Sequence, residues 1–204
     1  MPSAGRRTCC LLLCVLTVSA AAAQHDEQSL AKLVTRGEVT LDGQTRQFII
    51  RHLPPASFPG LPQAIASALE QRGCLIPQSY EAHQPENVVS GSFERASSLD
   101  WAVLCSLQGN VSLLVFFANA PDNPQILATV PETARLQDYN STHVLGFNWG
   151  IDAASPEVIH DAQIGLSPRP PRPDHDALAD SVVDRSTVYH YFKSGSWSLV
   201  DLPD

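Results

Sequence analysis

A chain of 204 residues, 44% of them hydrophobic and 17% charged, is long enough to bury a core and too apolar for wholesale disorder. Its 13 Lys and Arg face 21 Asp and Glu, a formal charge of −8, which argues against a nucleic-acid-binding surface and against docking on anionic lipid. The 16 Pro against 11 Gly point to stiff connections.

Residues 1–23 have the three zones of a secretory signal peptide: Arg6-Arg7, an apolar stretch from Leu11 to Val18, and the small residues Ala20 to Ala23 before Gln24. The apolar stretch is too short to span a bilayer as a helix, and no later stretch is long enough, so the mature chain is expected to be soluble, periplasmic or extracellular, with no membrane span. Leu13 before Cys14 and Thr8 before Cys9 suit a lipoprotein signal poorly, while the arginine pair leaves a twin-arginine route open. Export removes Cys9, Cys10 and Cys14. Cys74 and Cys105 remain in an oxidising compartment, and a single disulfide between them is the economical reading. It closes a loop of about thirty residues, which stabilises by roughly 3–4 kcal/mol on the chain-entropy argument.

Residues 24–204 read as one domain. Leu30, Leu33 and Val34 lie at helical spacing and suggest a short helix over 24–36, stopped by Gly37. Glu38 to Leu41 and Arg46 to Arg51 read as a hairpin around Asp42-Gly43. After a Pro-rich loop, Pro62 suits a first helical position. Leu61, Ile65, Ala68 and Leu69 then form one apolar stripe, ended at Gly73. Val88 to Glu94, Leu99 to Leu107 and Val111 to Ala118 read as strands, the last two joined as a hairpin across a short Gly-containing turn. Both long strands are apolar on both faces, as in the middle of a sheet. Trp101, Val103, Cys105 and Leu107 share one face, and a helix lying on it would bring Cys74 to Cys105.

Further strands are expected at Gln125 to Val130 and His143 to Asn148. Ser155-Pro156 suits the cap and first turn of a short helix running to about Gln163. Residues 167–173, SPRPPRP, read as an extended connector. Ala177 to Val183 reads as a helical turn or two. Ser186 to Phe192 and Trp197 to Val200 read as a closing hairpin. The fold class expected is α+β: a mostly antiparallel sheet with a helix packed on one face and a C-terminal hairpin.

Signatures of catalysis and metal binding are missing. His143, Asp152, His160, Asp161, His175 and Asp176 are the ligand types available, but none has HExxH spacing, so neither a metal site nor a cofactor is expected. Asp176, Asp180 and Asp184 would line one solvated face of a helix. The chain has no GxSxG elbow, no Walker A loop, no GxGxxG and no EF-hand loop. Asn110-Val111-Ser112 and Asn140-Ser141-Thr142 match the glycosylation triplet, which counts only in a glycosylating host. The proline run suits a linker better than a ligand for proline-reading domains. Phe147 and Phe192 suit core packing or a sheet rim. Trp149-Gly150-Ile151-Asp152 suits a ligand-facing loop, with Trp149 and Asp152 as the contacts.

Three stretches occur together: Gly73-Cys74-Leu75-Ile76-Pro77-Gln78, Asn87-Val88-Val89-Ser90-Gly91-Ser92-Phe93 and Asp100-Trp101-Ala102-Val103-Leu104-Cys105-Ser106. With these, and with the tail from Asp174-His175 to Gly195-Ser196-Trp197, the chain resembles a family of uncharacterised exported bacterial proteins carrying GC-x-IPQ, NV-x-x-G-x-F and DWAVLCS. The resemblance runs from about Gly73 onward. It implies export and fits a Cys74–Cys105 pair, and it carries no catalytic residues. Gly91-x-Phe93 followed by Asp100-x-Ala102-Val103 is also similar, locally, to one FG-GAP or VCBS propeller repeat. The calcium loop of such repeats would fall within ERASSL, which has a single acid, and a propeller needs several blades.

The function expected is that of an exported, non-enzymatic binding or interaction domain whose partner is a protein or an envelope component, with no nucleic acid. Two alternatives stay open. One is a hydrolase whose site gathers His143, His160 or His175 with an acid. The other is an inhibitor or immunity-type protein.

Overall fold

In a computed structural model, the structure describes residues 33–138 and 143–203. The signal segment, Leu30 and the second glycosylation triplet lie outside the described residues. The chain opens with the hairpin β1 (Val34–Leu41) and β2 (Gln44–Leu53). Next come α1 (Gln63–Gln71), β3 (Ile76–Gln78), β4 (Val88–Gly91), β5 (Asp100–Leu107), β6 (Asn110–Phe116) and β7 (Gln125–Pro131). The short strands β8 (Leu136–Asp138) and β9 (Leu145–Phe147) precede β10 (Trp149–Ala154) and α2 (Pro156–Ala162). The chain then forms β11 (Ala177–Val182), β12 (Ser186–Lys193) and β13 (Ser196–Leu199).

These strands make three mostly antiparallel sheets. The first has the order β1-β2-β9-β8, with β3 also paired to β2, and its β2–β9 contact is parallel. The second is the meander β4-β5-β6-β7, and the third is β10-β11-β12-β13. Three hairpins share one local cause. Asp42-Gly43, Gln108-Gly109 and Ser194-Gly195 each place two residues at positive φ, and the register passes from Leu41 to Gln44, from Leu107 to Asn110 and from Lys193 to Ser196. Two-residue turns of that hand match the twist of the strands they join.

The inner faces of all three sheets meet in one cluster, to which Ile50 and Phe147, Leu104 and Leu113, and Trp149 and Leu178 contribute. A second cluster joins Ile65, Ala66 and Leu69 of α1 to Val103, Cys105, Leu114 and Phe116. Cys74 and Cys105 lie in it at disulfide distance, 2.23 Å between sulfurs. Strand β5 therefore buries both faces, Ala102 and Leu104 in one cluster and Val103 and Cys105 in the other. Helix α1 begins one residue after Pro62, which occupies its cap position, and ends before Gly73 at φ +75°. The Cys74 amide then returns to the Leu69 carbonyl at 3.0 Å.

Two local expectations are corrected. Residues 34–36 are strand, opposite Ile49 to Arg51, because β2 offers a full row of partners that the spacing of Leu33 and Val34 does not reveal. Ala177–Val182 is an inner strand between β10 and β12, although Ala-Leu-Ala favours helix. Leu178 points into the central cluster, while Ala177 and Ala179 point into a third with Ile159. Packing on both faces overrides the local preference. Asp176, Asp180 and Asp184 consequently share no helix face, and Asp180 is buried within the strand.

Candidate binding cleft

A concavity lies where the proline connector passes the closing hairpin. Helix α2 starts at Ser155, whose hydroxyl accepts from the Val158 amide as an N-cap, with Pro156 in the first turn. Its Ile159 packs against Ala177 and Ala179, with Tyr189, Tyr191 and Val200 of the hairpin around them. Residues 167–173 form neither helix nor strand. Arg169 holds this connector to the helix by donating to the His160 carbonyl, and Arg172 does so by pairing with Glu157. A cleft of about 620 Å³ is lined by Pro170 and Pro171 of the connector and by Tyr191, Lys193 and Ser198 of the closing hairpin. That volume is within the range of small-ligand sites.

A polar cluster of Asp174, His175 and Tyr191 is part of the lining. His175 is 7% exposed, and its ring stacks on that of Tyr191 with 4.3 Å between centroids. Its Nε2 donates to the Phe192 carbonyl at 2.9 Å. Its Nδ1 faces Asp174 Oδ1 at 2.7 Å and the Tyr191 hydroxyl at 3.0 Å. The Tyr191 hydroxyl donates to the same Asp174 oxygen at 2.8 Å. Burial, then this bond to a carboxylate, pushes the Tyr191 phenol up to about 12. The bonds from Tyr191 and then His175 hold Asp174 below the usual carboxylate range. Both imidazole nitrogens are therefore held by protein groups, and Tyr191 keeps its proton at neutral pH. The cluster pins the connector to β12.

Gln163, one residue past α2, is 5% exposed and lines the same cleft. Its amide nitrogen donates to the Asp201 carbonyl at 3.2 Å. A carbonyl can only accept, so the orientation of the amide is fixed and Oε1 faces away. That oxygen is buried and has no hydrogen-bond partner among the described residues.

Two other polar clusters tie the sheets together. Trp149 is fully buried and donates from Nε1 to Asp180 Oδ1 at 2.7 Å, while His190 Nε2 lies 3.1 Å from Asp180 Oδ2. The Arg135 guanidinium sits 4.2 Å from the centre of the Trp149 ring. In the other cluster Glu132 Oε1 accepts from His52 Nε2 at 2.8 Å and from the Ser106 hydroxyl. All three residues are buried.

Trp149 and Asp152 sit on opposite faces of β10, three residues apart. Asp152 is exposed and accepts from the neighbouring Ala153 amide at 2.8 Å. The histidines occupy separate places: His143 is exposed ahead of β9, His160 lies on α2, and His175 lies in the cleft. Among the described residues, no three His, Cys, Asp or Glu side chains are grouped so as to hold a metal ion. No described helix is long and apolar enough to cross a membrane. Tyr191 and Gln163 escaped the sequence reading. The one available signal for Tyr191 was strand alternation, which puts Tyr189 and Tyr191 opposite Val188, His190 and Phe192.

Comparison with protein-family models, curated proteins and solved structures returns no match.

Proposed function

We propose that this is an exported binding domain that holds a small ligand in the cleft between the proline connector and the closing hairpin, without acting on it chemically. One observation carries the reading: the cleft's histidine has both ring nitrogens engaged by Asp174, Tyr191 and the Phe192 carbonyl. A general base needs a nitrogen within reach of a substrate's proton, and here neither is offered. Tyr191, pushed up to about 12, is a donor and a poor base at neutral pH. What the cleft presents instead is a mixed lining, in which Ile159, Pro170 and Leu199 stand beside polar and charged side chains such as Arg172, Lys193 and Ser198. The disulfide pair and the signal-like first residues support export. The resemblance to exported bacterial proteins, resting on the GC-x-IPQ and DWAVLCS segments, agrees with it.

The test is a thermal-shift screen of a small-molecule library against the oxidised mature chain and against Ser198→Trp, which fills the cleft from an exposed strand position. Compounds that raise the Tm of the first and not of the second, and that are recovered unchanged, fit the reading. Compounds that stabilise both proteins equally, or that are converted to product, contradict it.

A further inference from the structure

We infer that the turn at Asp42-Gly43 is a self-modification site, where the backbone link of Asp42 converts to a β-linked isoaspartyl one through a cyclic imide. The reaction needs a free side-chain carboxyl or carboxamide, a following amide free to attack it, and room for the ring. Among the described residues, the Asp and Asn with positive φ are Asp42, Asn87 and Asp184, and Asp42 alone meets these needs. Asn87 is buried and its side chain is committed. It donates to the Pro77 carbonyl at 2.8 Å and the Trp149 carbonyl at 3.1 Å, and it accepts from the Ile151 amide at 3.1 Å. Asp184 accepts from the Tyr80 hydroxyl at 2.9 Å, and the Arg185 amide that follows it donates to the Val182 carbonyl at 2.9 Å. Asp42 is exposed between β1 and β2. Neither its carboxylate nor the Gly43 amide has a hydrogen-bond partner among the described residues. A Cβ built on Gly43 would meet nothing within 4 Å, so the approach is open. Asp42-Gly43 is also the only Asp-Gly or Asn-Gly pair in the sequence.

The fold holds Asp42 close to the geometry of the ring. With φ of +52° and +77° at its central residues, the turn is of the I′ kind. A II′ turn keeps the positive φ of the first residue and rotates the next peptide plane, to a ψ of about −120°. Bonding Cγ to the following nitrogen closes a five-membered ring that fixes ψ near that same value. Gly43 follows the rotation readily, since glycine takes either sign of φ. The Gly43 nitrogen attacks Asp42 Cγ. The N–Cγ bond forms, the Cγ–OH bond of the protonated carboxyl breaks, and the hydroxyl leaves with the amide proton as water. A second water then opens the imide. Addition at Cγ restores aspartate. Addition at the Asp42 backbone carbonyl breaks its bond to the Gly43 nitrogen, leaving the chain linked through Cγ beside a free α-carboxylate. The net change is an isomerisation with no oxidation or reduction. It adds a backbone carbon to a turn whose register passes directly from Leu41 to Gln44. The turns at Gln108-Gly109 and Ser194-Gly195 share the positive φ values and lack the carboxyl.

The experiment holds the oxidised mature chain for weeks in warm, mildly acidic buffer made with heavy-oxygen water. Its peptides are then read by electron-transfer mass spectrometry, which separates isoaspartate from aspartate. Isoaspartate and heavy oxygen are expected together at residue 42, and at neither Asn87 nor Asp184. Asp42→Glu, whose longer side chain cannot close the five-membered ring, should lose both signals. Asp42→Asn should reach the same isoaspartate with loss of ammonia, at neutral pH as well. Absence of isoaspartate at residue 42 in the folded chain overturns the inference. So does its appearance only after unfolding in urea, which would mean that the turn protects the pair. Heavy oxygen retained at position 42 in Asp42→Glu also overturns it, because the label then enters by another route.

Discussion

Glu132 carries its charge inside the protein, and His52 and Ser106 hold it there. Burial alone raises the carboxyl, but the bonds from His52 and Ser106 outweigh it and the net shift is down from 4.5. A folded value below the unfolded one contributes stability that is present above about 4.5 and lost as pH falls through the folded value. Urea midpoints measured on acidification should therefore fall more steeply for the native chain than for Glu132→Gln. Identical slopes would remove Glu132 from the account. Tyr80 and Tyr191 titrate the other way. Each phenol is raised to about 12, first by burial and then by its bond to Asp184 or Asp174. Their contribution is complete below the ordinary value of 10.0 and disappears as pH rises through about 12. A spectrophotometric titration should show a tyrosinate step near 12, reduced in Tyr191→Phe. An unchanged step would contradict the Tyr191 assignment. Gly146 is fixed by space: a Cβ there would lie 2.5 Å from Tyr80 Cβ. Gly146→Ala should cost about 1–3 kcal/mol in denaturant unfolding, the cost of overpacking.

At the scale of elements, β11 shows how tertiary partners decide a segment. Five of its six residues, Leu178 to Val182, pair on both sides, with Asp152↔Ala179 on one and Asp180↔Val188 on the other. Asp180 joins β10 to β12 through Trp149 and His190. Asp180→Ala leaves the Trp149 N–H buried without an acceptor and should cost about 3 kcal/mol or more, as the loss of one partner in a buried polar cluster does. Chemical denaturation measures this, and a change within about 0.5 kcal/mol, the range of ordinary surface substitutions, would contradict the network. The disulfide works between elements as well, fastening the end of α1 to β5. Its reduction should lower stability by roughly 3–4 kcal/mol for a loop of this length. A native mass equal to the reduced mass would reject the bond.

Across the whole molecule, what the sequence made legible was local. Asp42-Gly43 and Gln108-Gly109 announced their hairpins, Gly73 its helix end, Ser155-Pro156 its cap, and the double-sided apolar pattern of 101–107 its inner strand. Those signals act over a few residues, where turn chemistry and alternation are strong. The grouping of strands into three sheets was not legible, because β2 pairs with β9 across nearly a hundred residues and no local pattern encodes that contact. The cleft was hidden for the same reason. Gln163, Asp174 to His175 and Tyr191 come from three segments, and only the packing of α2 and the connector on the hairpin assembles them. The account stands on that assembly being a place where a ligand rests unaltered. Its most direct test is a series of ¹H–¹⁵N spectra of the oxidised mature chain, with one-dimensional ¹H spectra of the ligand, recorded through a titration with a compound selected by the thermal-shift screen and then over days. It predicts shifts confined to the Gln163 side-chain amide, Asp174 to His175 and Tyr191 to Ser198, with the ligand signals unchanged throughout. Shifts centred elsewhere, or ligand signals giving way to those of a product, would contradict it.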